Sequence, residues 1–483
     1  MVAVVVTKGP ILGIRHLQTL LLFFSILVNY GGRLNISVSL VAMTNANTTN
    51  PDFYEFDWNE KQKSYIISSF YWGYFITQFP GGYMARKLGV KATILTSSLG
   101  SSLLNLIVPL SVPWGGWEIY CGIRIIQGLF QGMLFPCVHE HLAKWSPIEE
   151  RTRLGGLSHT GIECGTIVAM GLSGIIAGSN LGWPGISYVF GGIGILFCIL
   201  WLIFADNTPI DSRLISFEEK KYILTSQANA ANEAKRKIPI PWKAIFTSTP
   251  FLALLTVRIL QGWGFTTMQA QIPAYLHGVL KMDIKSNALY STLPYLAMWI
   301  LSNVYLIAAE IILKKQWTSL SVMRKTMNTI ALWIPAALLI AIGFLDENQK
   351  TLAVIFMTLN VGLNGGQTIG SSLNTIDLSP NHAGILMGLV NSIANIVPIL
   401  TPIAVGIIVY DETQRTQWQI VFVIAAVLFF LGNLQFLIFG STDTQLWNDE
   451  DFLLKGTNEN GLNGQNASKI QARNLTSVDL EVF

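Results

Sequence analysis

Charge is what this sequence has least of. Only 12% of its 483 residues are Asp, Glu, Lys or Arg, against about 25% in soluble globular domains. A chain of this length needs a charged surface to stay in water, which argues against an ordinary cytosolic enzyme. Cysteine is scarce too: Cys121, Cys137, Cys164 and Cys198 fall inside apolar stretches, and no two form a CxxC pair. They read as small buried hydrophobes, not as a disulfide framework or a zinc site. Catalytic motifs are missing. His139-Glu140 opens like a zinc-protease helix, but Ala143 stands where HExxH needs its second histidine. No GxxxxGK[ST] loop occurs, which excludes ATP-driven pumping by that device, and no GxSxG elbow presents a serine. A net charge of +3 is too small to suggest a nucleic-acid partner.

What the chain has in abundance is apolar length: 51% hydrophobic residues, with 42 Gly and 14 Trp. Small residues let membrane helices approach, and aromatics collect at the interfaces. A transmembrane helix needs about 20 mostly apolar residues. About twelve such runs occur, near 18–43, 64–84, 90–111, 117–138, 154–178, 184–205, 251–272, 288–312, 326–345, 351–373, 383–409 and 418–440. Met1 to Gln18 has no small-residue cleavage site, so the first run reads as a retained span. The expected fold is therefore all-α, with twelve membrane helices in two six-helix bundles. The expected units are 1–205 and 250–440 for the bundles, 206–249 for a polar linker and 441–483 for a disordered tail.

Lys and Arg set the expected orientation. Arg86, Lys87 and Lys91 follow the second span, Lys144, Arg151 and Arg153 the fourth, and Lys314, Lys315, Arg324 and Lys325 the eighth. The linker adds Lys220, Lys221, Lys235, Arg236, Lys237 and Lys243. The first loop instead carries Asp52, Glu55, Asp57 and Glu60. Both termini and the linker are then cytoplasmic. Asn47 in the first loop begins an Asn-Thr-Thr sequon on the other side, a plausible glycan site, while the sequons at Asn466 and Asn474 stay cytoplasmic and bare.

A charged side chain at membrane depth costs about 2.5–3.5 kcal/mol on insertion scales and usually faces a cavity. Arg33 lies in the first span with Asn29 and Ser37 four residues to either side, on one stripe. Arg124, Gln127 and Gln131 form a second stripe in the fourth span. Two arginines on separate helices point to an anion, because guanidinium grips carboxylate or phosphate with two donors. In the fifth span His159 and Glu163, four apart, make a candidate proton-coupling pair. Asn360, Asn364, Gln367, Ser371 and Asn374 line the tenth span, Gln261 and Gln269 the seventh, and Asn391 and Asn395 the eleventh. Such stripes cannot face lipid cheaply.

Several stretches, in order, resemble one family. They are Arg33-Leu34-Asn35-Ile36-Ser37-Val38, Phe70-Tyr71-Trp72-Gly73-Tyr74 running on through Thr77-Gln78-Phe79-Pro80-Gly81-Gly82-Tyr83, and Arg124-Ile125-Ile126-Gln127-Gly128 with Phe135-Pro136. Trp145-Ser146-Pro147 with Glu150-Arg151 follows, then Asn374-Thr375-Ile376-Asp377-Leu378-Ser379-Pro380 leading into Gly384-Ile385-Leu386-Met387-Gly388. From about Leu17 to Trp447 the chain is similar to the anion/phosphate branch of the major facilitator superfamily. That branch holds sialin-like, vesicular glutamate and type I sodium/phosphate carriers, and the details most resemble the insect inorganic phosphate cotransporters. It departs from the glutamate and sialin types where they place an acid after the fourth-span arginine. Here Gln127 and Gln131 stand at those positions, Ile67 replaces a second-span histidine, and Gln261 a seventh-span arginine. Arg86 occupies a loop position where the superfamily usually has Asp, and Glu310 holds the second-half equivalent.

The resemblance implies a secondary transporter, not an enzyme, moving an inorganic or organic anion by alternating access. The implied substrate site is Arg33, Arg124, Asn29, Gln127, Gln131, Gln261, Asn364 and Gln367. No cofactor or metal is implied; the coupling ion is sodium, with voltage-driven movement as an option, or a proton through Glu163 and His159. The implied partners are a small anion and the bilayer. The membrane is the plasma membrane, or a lysosomal one if Asp449-Glu450-Asp451-Phe452-Leu453-Leu454 acts as a dileucine sorting signal. An anion channel or receptor on the same scaffold remains the contrasting expectation.

Overall fold

A computed structural model describes residues 10–45, 50–147, 150–233, 240–449 and 452. Asn47, Asn466, Asn474 and most of the dileucine stretch lie outside the described residues. Every regular element among the described residues is a helix, as apolar surroundings require when each backbone N–H and C=O must be paired within its own segment. In chain order they are α1 (Ile14–Leu34), α2 (Ile36–Thr44), α3 (Glu60–Leu88), α4 (Val90–Gln131), α5 (Leu134–Trp145), α6 (Arg151–His159), α7 (Gly161–Ala177) and α8 (Gly182–Phe204). The linker forms α9 (Phe217–Glu233) and α10 (Trp242–Thr247). The second half holds α11 (Thr249–Gly278), α12 (Ile284–Lys314), α13 (Leu320–Gly343), α14 (Lys350–Asn364), α15 (Asn374–Leu378), α16 (Ala383–Ala394), α17 (Val397–Ile408) and α18 (Arg415–Phe439).

Polar loop residues start the long helices. Asn59 accepts from the Gln62 N–H while the Gln62 side chain accepts from the Asn59 N–H, closing a capping box on α3. Asp283 and Ser319 cap α12 and α13 in the simpler way.

Nine helical stretches among the described residues are long and apolar enough to cross a membrane. Twelve expected runs map onto them for physical reasons. The third and fourth runs fall within one assigned stretch, Val90–Trp145, but are two helices that meet at a turn at Gly116, whose φ of +62° favours glycine. The second and seventh runs are α3 and α11, long helices that carry too many polar residues to count by composition.

One end of the bundle carries the linker. There Arg15, at the start of α1, donates to Glu150 at 2.7 Å and to Glu219 of α9 at 3.0 Å. The Arg15 hydrogen bond holds the Glu150 carboxyl below the usual carboxylate range. Gln227 of α9 donates to the carbonyls of Ala143, Lys144 and Ser146. The linker is thus docked on the first half by helical structure. Residues 441–449 were expected to lack order, yet Trp447 is buried against His382 and Asn448 accepts from Ser379 and Asn381. The apolar tryptophan inside a polar segment explains the difference.

The two halves meet where α3 packs on α17, α7 on α12 and α2 on α11. At the end opposite the linker, Lys63 of α3 bridges Glu412 of the second half at 2.7 Å and Glu60 of its own helix at 2.6 Å. Deeper along the same seam, Ser68 donates to the Ile399 carbonyl and Asn395 donates to Gln78.

Candidate functional site

Arg33 occupies the last turn of α1, just before the chain breaks at Asn35 and restarts as α2. Its guanidinium carbon lies 4.7 to 5.1 Å from the ring centroids of Tyr30, Phe70, Tyr71 and Tyr74. Three of those rings come from α3, at positions one and four apart, so a single helix face supplies most of the box. Cation–π contacts of this kind are worth about 0.5–2 kcal/mol each, more when dry. The hydroxyls of Tyr30, Tyr71 and Tyr74 approach the same group.

Arg124 of α4 stands beside it. One terminal nitrogen donates to the Arg33 carbonyl and the other to the Gln127 side chain, both at 3.2 Å. Arg124 and Arg33 share the Phe70 ring, at 4.8 and 4.9 Å from its centroid, which bounds their separation at the sum of the two, 9.7 Å. Both are buried, at 3% and 8% exposure, and the Nε of each lacks a hydrogen-bond partner. Among the described residues neither makes an ion pair. Arg33, Ser37, Ile67, Tyr71, Arg124 and Gln269 line a common narrow pocket. Gln269 and Ala270 bring the second half to the arginines, and of the two Gln269 is polar.

The other expected site residues divide differently. Gln127 bridges Arg124 and Asn105, orienting the guanidinium. Asn29 donates to Ser98, and Gln131 donates to Ser101 and to the Asn29 carbonyl, so both join α1 to α4. Gln261 donates to Asn364, which donates to the Ala331 carbonyl. Gln367 donates to Ser371 beside a π-helical turn, Thr368–Ser372. All six are hydrogen-bonded within one half, and none of them lines the pocket.

His159 and Glu163 do not form the expected pair. The helix breaks at Thr160, leaving His159 at the end of α6 and Glu163 in the first turn of α7. The His159 ring packs on His139 and Phe135 and its Nδ1 meets the Gly155 carbonyl. Glu163 instead sits in the first turn of α7, a helix that packs along α1. The tyrosines of α3 were visible in sequence as an aromatic motif, but their convergence on Arg33 depends on how closely α3 meets α1.

Comparison with known proteins agrees with this architecture. Residues 22–394 match the Major Facilitator Superfamily. The chain is 37% identical over 452 residues to a Drosophila ananassae protein named "Putative inorganic phosphate cotransporter", covering 89% of this chain and 93% of that one. It is 32% identical over 454 residues to Homo sapiens sialin, covering 90% of each. The crystal structure of a D-xylose-proton symporter superposes with a TM-score of 0.64 at 14% identity, over 88% of this chain and 98% of the other. That is agreement in fold. With its twelve expected runs all found as helix, the chain belongs to the Major Facilitator Superfamily and is a multi-pass membrane transporter.

Proposed function

We propose that this chain carries a small oxyanion, inorganic phosphate or a carboxylate, by alternating access, with Arg33 and Arg124 as the grip. The observation that carries this reading is the pair itself: two buried guanidinium groups on adjacent helices, no carboxylate between them, and an unbonded Nε on each. Two like charges in a low-dielectric interior are costly unless something of opposite sign joins them. An oxyanion does so with several acceptors at once. The shared Phe70 ring and the Gln127 hydrogen bond hold the guanidiniums for that task. The name of one relative, "Putative inorganic phosphate cotransporter", agrees with an anionic substrate.

By the excess of Lys and Arg, the linker end faces the cytoplasm. Sodium or membrane voltage drives transport; a proton-driven form would use Glu163, a carboxylate on α7. The resident membrane is that of the cell surface or of a lysosome-like compartment. Uptake of labelled phosphate into proteoliposomes, with sodium, proton and voltage gradients imposed in turn, separates these. Arg33→Ala is expected to lower that uptake at least a hundredfold while leaving reconstitution unchanged. Normal flux in the variant would refute the assignment, and ohmic conductance without accumulation would favour a channel.

A further inference from the structure

A third arginine at membrane depth, Arg258 of α11, is largely buried and has no ion pair or hydrogen bond among the described residues. Its direction is fixed by its neighbours on the helix. Gln261, three residues on, reaches Asn364 of α14. Gly262, four residues on, faces Val397 of α17. Those two positions bracket Arg258 on the helical wheel, so it points between α14 and α17, into the second half. Leu252, the exposed lipid-side residue, lies ~120° round the helix. Gln269, which lines the cavity with Arg33 and Arg124, is eleven residues from Arg258. That separation is within ~20° of three whole turns and about 17 Å along the axis. Arg258 thus shares the pathway face of α11 with Gln269, displaced towards the linker end. Close by, two residues before Val397, Asn395 closes the seam by donating to Gln78 of α3.

Resting on the oxyanion reading above, we propose that Arg258 is the cation of a second oxyanion site. It receives the substrate between the central arginine pair and the linker face, behind the Asn395–Gln78 contact. The ligand class is the same as at the centre, an oxyanion of phosphate size. An unpaired guanidinium in that position lowers the barrier for an anion that has left Arg33 and not yet reached water. No covalent step is involved.

The test is phosphate kinetics from each face, in proteoliposomes with the orientation fixed by a tag on the tail. Arg258→Gln is expected to raise the phosphate KM at the linker face at least fivefold and at the opposite face less than twofold, with Arg258→Lys between. Equal changes at both faces, or none, would overturn the proposal. Failure of both variants to fold would also overturn it, by making Arg258 structural. The companion measurement is phosphate binding to the Arg33→Ala protein, where weaker residual binding should persist and vanish on adding Arg258→Gln. If Arg33→Ala transports normally while the face asymmetry holds, the central assignment fails and the second site stands. Absence of residual binding in Arg33→Ala removes the second site and leaves the first.

Discussion

Gln127 decides how much positive charge the centre presents. Its Oε1 accepts from Arg124 while its Nε2 donates to Asn105, so it orients the guanidinium and neutralises nothing. A glutamate of nearly the same shape would form a buried ion pair there and compete with the substrate. Gln127→Glu is therefore expected to raise the phosphate KM at least tenfold, about 1.4 kcal/mol of lost affinity, with little loss of thermal stability. An unchanged KM would place Gln127 outside the binding electrostatics. Asn29 and Gln131 show where reading by residue type stops. Their stripes point inward as the spacing implies, but a stripe identifies a face, not a partner. Both amides are spent on neighbouring helices.

Helix contacts make the arginine box possible. The α3 and α4 helices touch backbone to backbone: a Cβ at Gly128 would collide with the Phe70 carbonyl, and one at Gly73 with the Ile125 carbonyl. Neither neighbour can rotate aside, since both are main chain. Gly128→Ala should push α3 away from α4, taking Phe70, Tyr71 and Tyr74 off Arg33. We expect about 1–3 kcal/mol of destabilisation from such overpacking and near-complete loss of transport. Gly122→Ala on the same helix meets nothing within 4 Å and should leave both melting temperature and flux near wild type. Equal behaviour of the two variants would show that the close approach is not needed. Runs of apolar residues made these helices legible in the sequence, including α3 and α11, whose polar content hides them from a composition test. Local breaks were not legible. Thr160 lies between α6 and α7 with near-helical backbone angles, and Gly116, at φ +62°, separates two helices within Val90–Gln131. Glycine permits that turn, but packing decides which of the chain's 42 glycines makes it.

At the scale of the molecule, the two halves are held shut at the end opposite the linker by Lys63 between Glu60 and Glu412, and deeper along the seam by Asn395 on Gln78. The linker ties to the first half through Arg15 and Gln227, and its last helix, α10, packs Phe246 on Phe251 of the second half. The second half carries its own clamp, Arg324 on Asp377 at 2.8 Å. This is the arrangement expected if the halves rock about a central site while each stays rigid. The two-half layout and the basic linker could be read directly from apolar periodicity and loop charge. The partners across the seam could not, because they lie up to 349 residues apart in sequence. The central claim is that an oxyanion completes the Arg33–Arg124 pair. Equilibrium binding of labelled phosphate to the purified protein tests it most directly. Saturable binding should weaken at least a hundredfold in Arg33→Ala and in Arg124→Ala, two variants that still fold. Wild-type affinity retained in either would contradict the account.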